Sequence, residues 1–291
     1  MNREAPPLPT RVGHAEWGDN RIRGHSVAHD LAGQETIVGL LALAIGGRRI
    51  DADERGLLDD IGVVGSVGDP RIWPLKLVRV TAAYGGCLAG VAAVTVCSEG
   101  AIVGQHAVGL AAELLLSLSH RMRAFNVFGA SPEVLALDDL VLEDECRRLL
   151  EKKGRLSGFG VAFRERDERL DMLIERVAAR GRSELPYWRL STKLAETVRR
   201  IRRLEPNIGL GAAAICLDIG FTPAQIGPLI TAIGSTDSWS NAFEGSQQAP
   251  ACLQSLPIGS VRYVGPPPLC SPRAVDEERM TSAAGRATTG R

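Results

Sequence analysis

The chain has 291 residues, of which 45% are hydrophobic and 23% charged, and its formal net charge at pH 7 is +0. This is the composition of an ordinary globular protein. A neutral chain has no overall field that would attract nucleic acid or an acidic membrane surface, so neither partner is expected. The longest apolar runs are too short to span a bilayer, and the N-terminus lacks the apolar core of a signal peptide.

The cysteines do not form a metal or redox motif. None belongs to a CxxC pair, and none lies at zinc-ligand spacing from another cysteine or a histidine. Most lie in or beside apolar helical segments, where a free thiol behaves as a small hydrophobe. We therefore expect reduced, structural cysteines, no metal site and a cytoplasmic location. The six residues are Cys87, Cys97, Cys146, Cys216, Cys252 and Cys270.

The two ends of the chain differ from the rest in composition. Residues 1–9 are rich in proline and residues 269–291 in small polar residues, so both are predicted to be disordered tails. Helical patterns begin with "GQETIVGLLALAIGG", which has a polar cap region and ends at paired glycines. The next segment, "DADERGLLDDIGVVGSV", has acidic residues in its first turn, which suits the helix dipole.

The middle of the chain continues the helical pattern. Two segments are long, apolar and rich in small residues, as in helices buried on most sides: "PLKLVRVTAAYGGCLAGVAAVTVC" and "AVGLAAELLLSLSHRMRAF". Four more helical segments follow: "SPEVLALDDLVLEDECRRLLEKKG", "DERLDMLIERVAARG", "PYWRLSTKLAETVRRIRRL" and "TPAQIGPLITAIGST". Alternation with the period of a strand is hard to find over more than four residues. The sequence therefore predicts an all-α fold.

Three local motifs allow two interpretations each. "GLGAAA" at 209–214 imitates a dinucleotide-binding fingerprint, but a basic helix and "EPN" precede it, which favours a tightly packed small-residue helix. "RRIRR" at 199–203 is either a solvated helix end or, with Arg164, Arg166 and Arg169, part of a phosphate-binding patch. His106 begins an apolar helix and is either a capping or core residue or a catalyst.

Five segments, in order, resemble those of the citrate synthase superfamily, and most of all its short bacterial citryl-CoA lyase-like members. "RIRGHSVAHDLAG" resembles "RGYDLAELIG", and "GFGVAFRERDER" resembles "GFGHRVYKxxDPR". "LEPNIGLGAAAICLDIGFTP" resembles "PNVDFYSGxxLxxLGIP". "ITAIGSTDSWSNAFE" resembles "ALARxxGWxAHxxE", and "VRYVGPPP" resembles "xxYVGP". The resemblance covers roughly Thr10 to Pro266.

The resemblance implies an all-α fold of a large and a small helical domain, in a homodimer. The boundaries that it implies are 10–105 and 218–268 for the large domain and 106–217 for the small domain. It also implies a CoA thioester as co-substrate with an organic acid, and no permanently bound cofactor. The residues expected at the CoA thioester are Gly158, Phe159, Gly160, Val161, Arg164 and Arg166.

The residues that carry the superfamily's proton transfers are replaced in this sequence. Val161 stands where "GFGH" has its histidine, Gly209 where "PNVD" has its aspartate, and Val103 where "GPLHGG" has its histidine. Ser235 replaces the arginine of "ALAR", whereas Arg169 matches the arginine of "DPR". Valine and glycine side chains cannot move protons, so citrate synthesis by the superfamily's route is not expected.

Two hypotheses about function remain. The first is an enzyme that makes or breaks a C–C bond next to a CoA thioester with other residues: His106, Asp167 and Asp237 as catalysts, and Arg169 and Trp73 at the substrate. The second is a catalytically inactive paralogue that serves as a structural or regulatory partner of an active subunit, in a heteromer.

Overall fold

The computed structural model describes residues 8–101, 104–125, 139–161 and 165–249, together with positions 259, 262, 264 and 265. The chain divides into two units, Met1–Pro250 and Ala251–Arg291, and the elements below belong to the first. The predicted terminal tails (apart from Leu8 and Pro9), Val103, Arg164, Cys252 and Cys270 lie outside the described residues.

A small antiparallel sheet precedes the helices. Its strands are β1 (Gly13–Glu16), β2 (Asp19–Ile22) and β3 (His25–Ser26), in that spatial order. Gly13 pairs with Ile22 in the register of the first hairpin. The sequence analysis missed this sheet because no strand exceeds four residues, too short for an alternating pattern to stand out.

Helices make up most of the rest of the described part, which confirms the all-α prediction. A π-helical turn at Val27–Leu31 follows the sheet, and a second one, Ala42–Gly46, continues the first α-helix. The α-helices are α1 (Ile37–Leu41), α2 (Ala52–Gly65), α3 (Trp73–Gly85), α4 (Cys87–Ala101), α5 (Gln105–Phe125), α6 (Asp139–Lys153), α7 (Glu168–Ala179), α8 (Pro186–Arg202), α9 (Ile208–Ile219), α10 (Pro223–Ile233) and α11 (Thr236–Ser246).

Helix α9 is the centre of the main hydrophobic core. Eleven of its twelve positions carry apolar side chains or glycine, and nearly all are buried. A Cβ at Gly211 would lie 2.7 Å from Leu170 Cδ1 and 3.5 Å from Trp188 Cζ3, so the missing side chain lets α7 and α8 approach closely. "GLGAAA" is thus part of a packed helix, as one of its two interpretations predicted.

The C-terminal end of α9 holds the N-terminus of α8 in place. Asp218 accepts hydrogen bonds from the N–H groups of Tyr187 and Trp188 at 2.9 and 2.8 Å. These are orphan donors of the first turn of α8, whose own N-cap residue, Leu185, offers no side-chain acceptor. Burial raises the pKa of Asp218 to about 6, although both N–H groups favour the charged form.

Helices α3, α4 and α11 surround a second, smaller core. Its buried members are Val78, Ala82, Val94 and Ala242. The sequence analysis interpreted "PLKLVRVTAAYGGCLAGVAAVTVC" as one long apolar segment that is buried on most sides. This interpretation was wrong in two respects. Gly86, with a φ of +82°, separates α3 from α4, and one face of α4 is exposed, with Leu88 at 74%.

Candidate functional site

The first part of the candidate site is the Gly158 turn (Gly158–Val161), which pairs with the segment before α9. Gly158 O accepts a hydrogen bond from Asn207 N–H at 2.9 Å, and Gly160 N–H donates to Glu205 O at 2.8 Å. The side-chain amide of Asn207 also donates to Gly160 O, at 3.0 Å. These bonds hold the turn against the N-terminus of α9.

Glycine is required at position 158 for two reasons. Its φ is +87°, in the left-handed region that costs other residues free energy. A Cβ there would also lie 2.9 Å from Leu210 Cβ, closer than such carbon atoms approach. The turn therefore presses on the first turn of α9, and it ends at Val161, whose side chain is half-buried.

Asp167 joins the N-terminus of α7 to that of α9. Its carboxylate is buried and accepts hydrogen bonds from Arg169 Nε and Nη2 at 2.7 and 2.9 Å. It also accepts the N–H of Ile208, the first residue of α9, at 2.9 Å. Burial raises the pKa of Asp167, but the bonds from Arg169 and Ile208 outweigh it, so the pKa lies below its ordinary value. The carboxylate is therefore ionised and already occupied by donors.

The N-terminus of α5 lies between α9 and α10. A Cβ at Gly209 would lie 3.7 Å from Val108 Cγ2, and a Cβ at Gly234 would lie 3.6 Å from Gln105 Nε2. His106 follows Gln105 in the same helical turn. In the part of the chain that the structure describes, its half-buried imidazole has no hydrogen bond or ion pair.

The C-terminus of α2 completes the arrangement. A Cβ at Gly62 would lie 2.7 Å from Ile233 Cγ2 in α10, and a Cβ at Gly65 would lie 3.8 Å from Ile208 Cδ1 in α9. We use the name helix junction for the place where the Gly158 turn, the N-termini of α5 and α9 and the C-termini of α2 and α10 meet. The N-termini of two helices contribute partial positive charge there, and the C-termini of the other two contribute partial negative charge.

Asp237 holds the loop that leaves the C-terminus of α2. Its carboxylate accepts the N–H of Val67 at 2.5 Å. Asn241, one turn later in α11, donates to Gly68 O at 3.3 Å and accepts Arg79 Nε at 2.7 Å. Like Asp167, Asp237 thus binds a backbone N–H of a segment next to the junction. The structure does not test the catalytic role predicted for either carboxylate, which stays a prediction.

The other residues predicted for the site lie in different surroundings. Trp73 is the first residue of α3 and is 45% exposed. Arg166 is exposed and pairs with Asp171 at 2.5 Å, so part of the predicted phosphate-binding patch already has an anionic partner. Ser235 is the N-cap of α11. The predicted contacts of Trp73 and Arg166 with a ligand remain predictions.

Sequence reasoning missed the backbone groups and small residues that assemble the junction. Ile208 contributes a main-chain N–H, and Gly62 and Gly65 contribute the absence of a side chain. A local signal existed for Asn207 alone, because an asparagine before an apolar run is a typical N-cap. Its Oδ1 accepts the N–H of Gly209 at 2.9 Å.

Two cavities among the described residues lie away from the junction. One cavity of about 10 Å³ borders Asp218, and one of about 220 Å³ lies between α5 and α6. Within the described ranges, no group of three or more His, Cys, Asp or Glu side chains is placed to hold a metal ion. Nor does any single helix there have the length and apolarity to span a membrane, although α9 and α10 reach that threshold jointly across a bend of 117°.

Comparisons with known proteins identify the fold. No protein-family model and no curated protein sequence matches this chain. Among solved structures, it is similar to citryl-CoA lyase from Hydrogenobacter thermophilus, with a TM-score of 0.72 and 18% identity over 92% of this chain and 99% of that one. The structural resemblance therefore extends over nearly the whole of a citryl-CoA lyase chain.

Two further solved structures have the same fold. ATP citrate lyase from Methanosaeta concilii, in complex with (3S)-citryl-CoA, gives a TM-score of 0.68 at 14% identity. The match covers 94% of this chain but 44% of that one. Citrate synthase from Thermoplasma acidophilum gives a TM-score of 0.53 at 15% identity, over 82% of this chain and 59% of that one. The chain thus has the all-α fold of the citrate synthase superfamily, as its sequence motifs predicted.

Proposed function

We propose that this protein binds a CoA thioester and a small organic acid at the helix junction without the proton transfers of the superfamily. It would then serve as a structural or regulatory partner of an active subunit. The observation that carries the proposal is the pairing of the Gly158 turn with the segment before α9. This pairing holds the turn that ends at Val161 against the N-terminus of α9, which contains Gly209. The resemblance assigns the catalytic pair to these two positions, and neither residue has a titratable side chain.

The nearby carboxylates do not replace the missing base in this proposal. Asp167 accepts the Arg169 guanidinium and the Ile208 N–H, and Asp237 accepts the Val67 N–H. The hydrogen bonds to Asp167 stabilise its charged form and hold its pKa below the ordinary value, which makes it a poorer base. Both groups therefore act as positioning residues that fix backbone segments beside the ligand.

Arg169 and two helix N-termini are the groups at the junction that would attract an anionic ligand. The N-termini of α5 and α9 meet there, and two of the Arg169 nitrogens hold Asp167, which leaves Nη1 for another acceptor. The fold likeness to citryl-CoA lyase and to an ATP citrate lyase bound to (3S)-citryl-CoA supports a CoA thioester as that ligand. We expect the thioester to contact the Gly158 turn and the phosphates of CoA to contact Arg164 and Arg166.

Calorimetric titration with CoA and acetyl-CoA tests the binding. We expect saturable binding to the wild type and a loss of about tenfold or more in R164A/R166A, because charged hydrogen bonds to phosphate are strong. The double variant R147A/R148A is the matched control, since it removes two exposed arginines from α6 and leaves the junction intact. An absence of binding to either ligand would overturn the proposal.

A second candidate function is C–C bond chemistry that uses His106. One observation favours it: His106 lies in the first turn of α5, whose N-terminus is at the junction, and its half-buried imidazole has no partner in the described residues. In that case His106 would remove a proton from the carbon next to the thioester carbonyl, and the N-termini of α5 and α9 would stabilise the enolate.

Exchange of the acetyl-CoA methyl protons in deuterated water, followed by NMR, separates the two candidates. We expect no exchange above that of buffer for the binding protein, in wild type and H106A alike. The second candidate predicts instead that the wild type and H120A catalyse the exchange and that H106A does not. That result would establish the enzymatic function. His120 is a suitable control because it is exposed in the same helix.

A further inference from the structure

The loop that follows α8 folds back on its own helix. Arg203, the C-cap residue of α8, has a φ of +53°, in the left-handed region that residues other than glycine seldom adopt. The turn brings Glu205 beside Arg199, six residues earlier in the chain. Arg199 Nε donates to both carboxylate oxygens, at 2.9 and 3.1 Å, and Nη2 donates to Oε2 at 2.8 Å. The side chains of this ion pair are 49% and 30% exposed, so a ligand can reach both groups from solvent.

The main chain of Glu205 ties this ion pair to the Gly158 turn. Glu205 O accepts the Gly160 N–H at 2.8 Å, and the next residue, Pro206, forms a β-bridge with Phe159. The carboxylate that holds Arg199 therefore belongs to the same short segment that holds the turn. A ligand whose thioester contacts the turn would bring its phosphates close to this ion pair.

A second ion pair lies next to the first. Arg166 Nη2 is 2.5 Å from Asp171 Oδ2. The hydrogen bonds from Arg199 hold the pKa of Glu205 below its ordinary value, and the charge of Arg166 also lowers it, so the two pairs interact. Two guanidinium groups beside the turn are therefore each paired with a carboxylate of their own chain.

Energetics favour an exchange of partners at Arg199. An exposed ion pair contributes little to stability, because water and salt screen the attraction. A phosphate group binds a guanidinium through two parallel hydrogen bonds, as a carboxylate does, and it can carry more negative charge. The buried pair of Asp167 and Arg169 differs, because the Asp167 carboxylate is closed to solvent and also accepts the Ile208 N–H. A phosphate can therefore displace Glu205 more easily than Asp167.

We propose that the carboxylate of Glu205 is an internal competitor of the ligand: it holds Arg199 until a phosphate group of CoA takes its place. This inference rests on the proposed function, which supplies the CoA thioester. Glu205 lowers the affinity in two ways, because Arg199 must first leave it and because the released carboxylate repels the phosphate. Glu205 therefore sets the concentration of ligand to which the protein responds.

Calorimetric titration of the full-length variant E205Q with CoA tests the proposal. The substitution removes the charge and retains the main-chain bond to Gly160, so we expect CoA to bind at least about threefold more tightly than to the wild type. R199A should bind CoA about fivefold or more weakly. E143Q is the matched control, because Glu143 of α6 pairs with the neighbouring Arg200 and its loss changes the net charge equally. An equal gain in E143Q, or unchanged binding in R199A, would overturn the proposal.

Two further arms locate the phosphate and separate this inference from the proposed function. Dephospho-CoA lacks the ribose phosphate and retains the diphosphate. A gain of E205Q with CoA alone would assign the ribose phosphate to Arg199, and a gain with both ligands would assign the diphosphate; either result supports the exchange. Binding of CoA by the wild type without any gain in E205Q would refute the exchange and leave the proposed function in place. An absence of binding by the wild type and by E205Q would refute both.

Discussion

Asp167 and Ile208 are joined by a hydrogen bond of 2.9 Å although they lie 41 positions apart in the chain. The bond runs from the first N–H of α9 to a buried carboxylate that also holds Arg169. One side chain therefore caps α7, neutralises a guanidinium and fixes the start of the helix that carries Gly209. The geometry of the junction depends on this contact.

We expect D167N to lower the free energy of unfolding by about 3 kcal/mol, because it leaves the Arg169 charge without its partner and removes one acceptor. Urea unfolding followed by circular dichroism measures this change. D171N is the control: its partner Arg166 is 67% exposed, so the loss should stay within about 0.5 kcal/mol. Equal effects of the two variants would contradict the assigned role of Asp167.

The same carboxylate should contribute to pH dependence. Folding lowers the pKa of Asp167 below its ordinary value of 3.8. Its stabilisation is therefore fully present above pH 3.8 and is lost as the pH falls through the folded pKa. We expect the difference in unfolding free energy between wild type and D167N to be constant near neutrality and to shrink below pH 3.8. A constant difference down to the acid transition would refute this.

Asp218 should show the opposite sign. Burial raises its pKa from 3.8 to about 6, so between these values the folded protein retains a proton that the unfolded chain has released. The wild type should therefore lose stability, relative to D218N, as the pH rises from 3.8 to about 6. Unfolding free energies of both proteins at several pH values in this window measure the difference. A difference independent of pH would show that the carboxyl is not perturbed.

Two glycines of the Gly158 turn allow a matched comparison. G158A adds a Cβ 2.9 Å from Leu210 Cβ at a φ of +87°, whereas G160A adds one with nothing within 4 Å at a φ of +90°. The backbone strain, about 1–2 kcal/mol, is common to both. We expect G158A to lose at least about 1 kcal/mol more than G160A in thermal or urea unfolding, owing to overpacking. Equal losses would contradict close packing of the turn on α9.

Restoring the missing side chains tests the proposed loss of proton transfer. V161H/G209D returns a histidine and an aspartate, and an acid in the first turn of α9 suits the helix dipole. We expect the exchange of acetyl-CoA methyl protons to rise about tenfold or more above wild type. The control V161Q/G209N has similar volume without titratable groups and should remain at the wild-type level. No gain in V161H/G209D, with thioester binding retained, would count against the assigned positions.

Much of the fold could be predicted from the sequence because local rules determine helix ends. Asp51 and Glu54 form a capping box at the start of α2, and Thr36 caps α1 with its hydroxyl. The apolar segments between such caps gave the helices. The strands β1 to β3 were not predicted because short strands are defined by their pairing with each other. That pairing joins residues across a turn and does not produce a recognisable pattern in the sequence.

The sequence by itself determined the helical class, the segments that contain most of the described helices, and the ordered motifs that predicted a citrate synthase-type fold, which the comparisons with solved structures confirmed. It also determined that residue 161 is valine and residue 209 is glycine, neither of which has a titratable side chain. Only the tertiary structure decided that Asp167 and Asp237 hold the backbone of Ile208 and Val67. The reason is physical: a main-chain N–H is the same in every residue but proline, so its partner depends on which segments the packed core brings together.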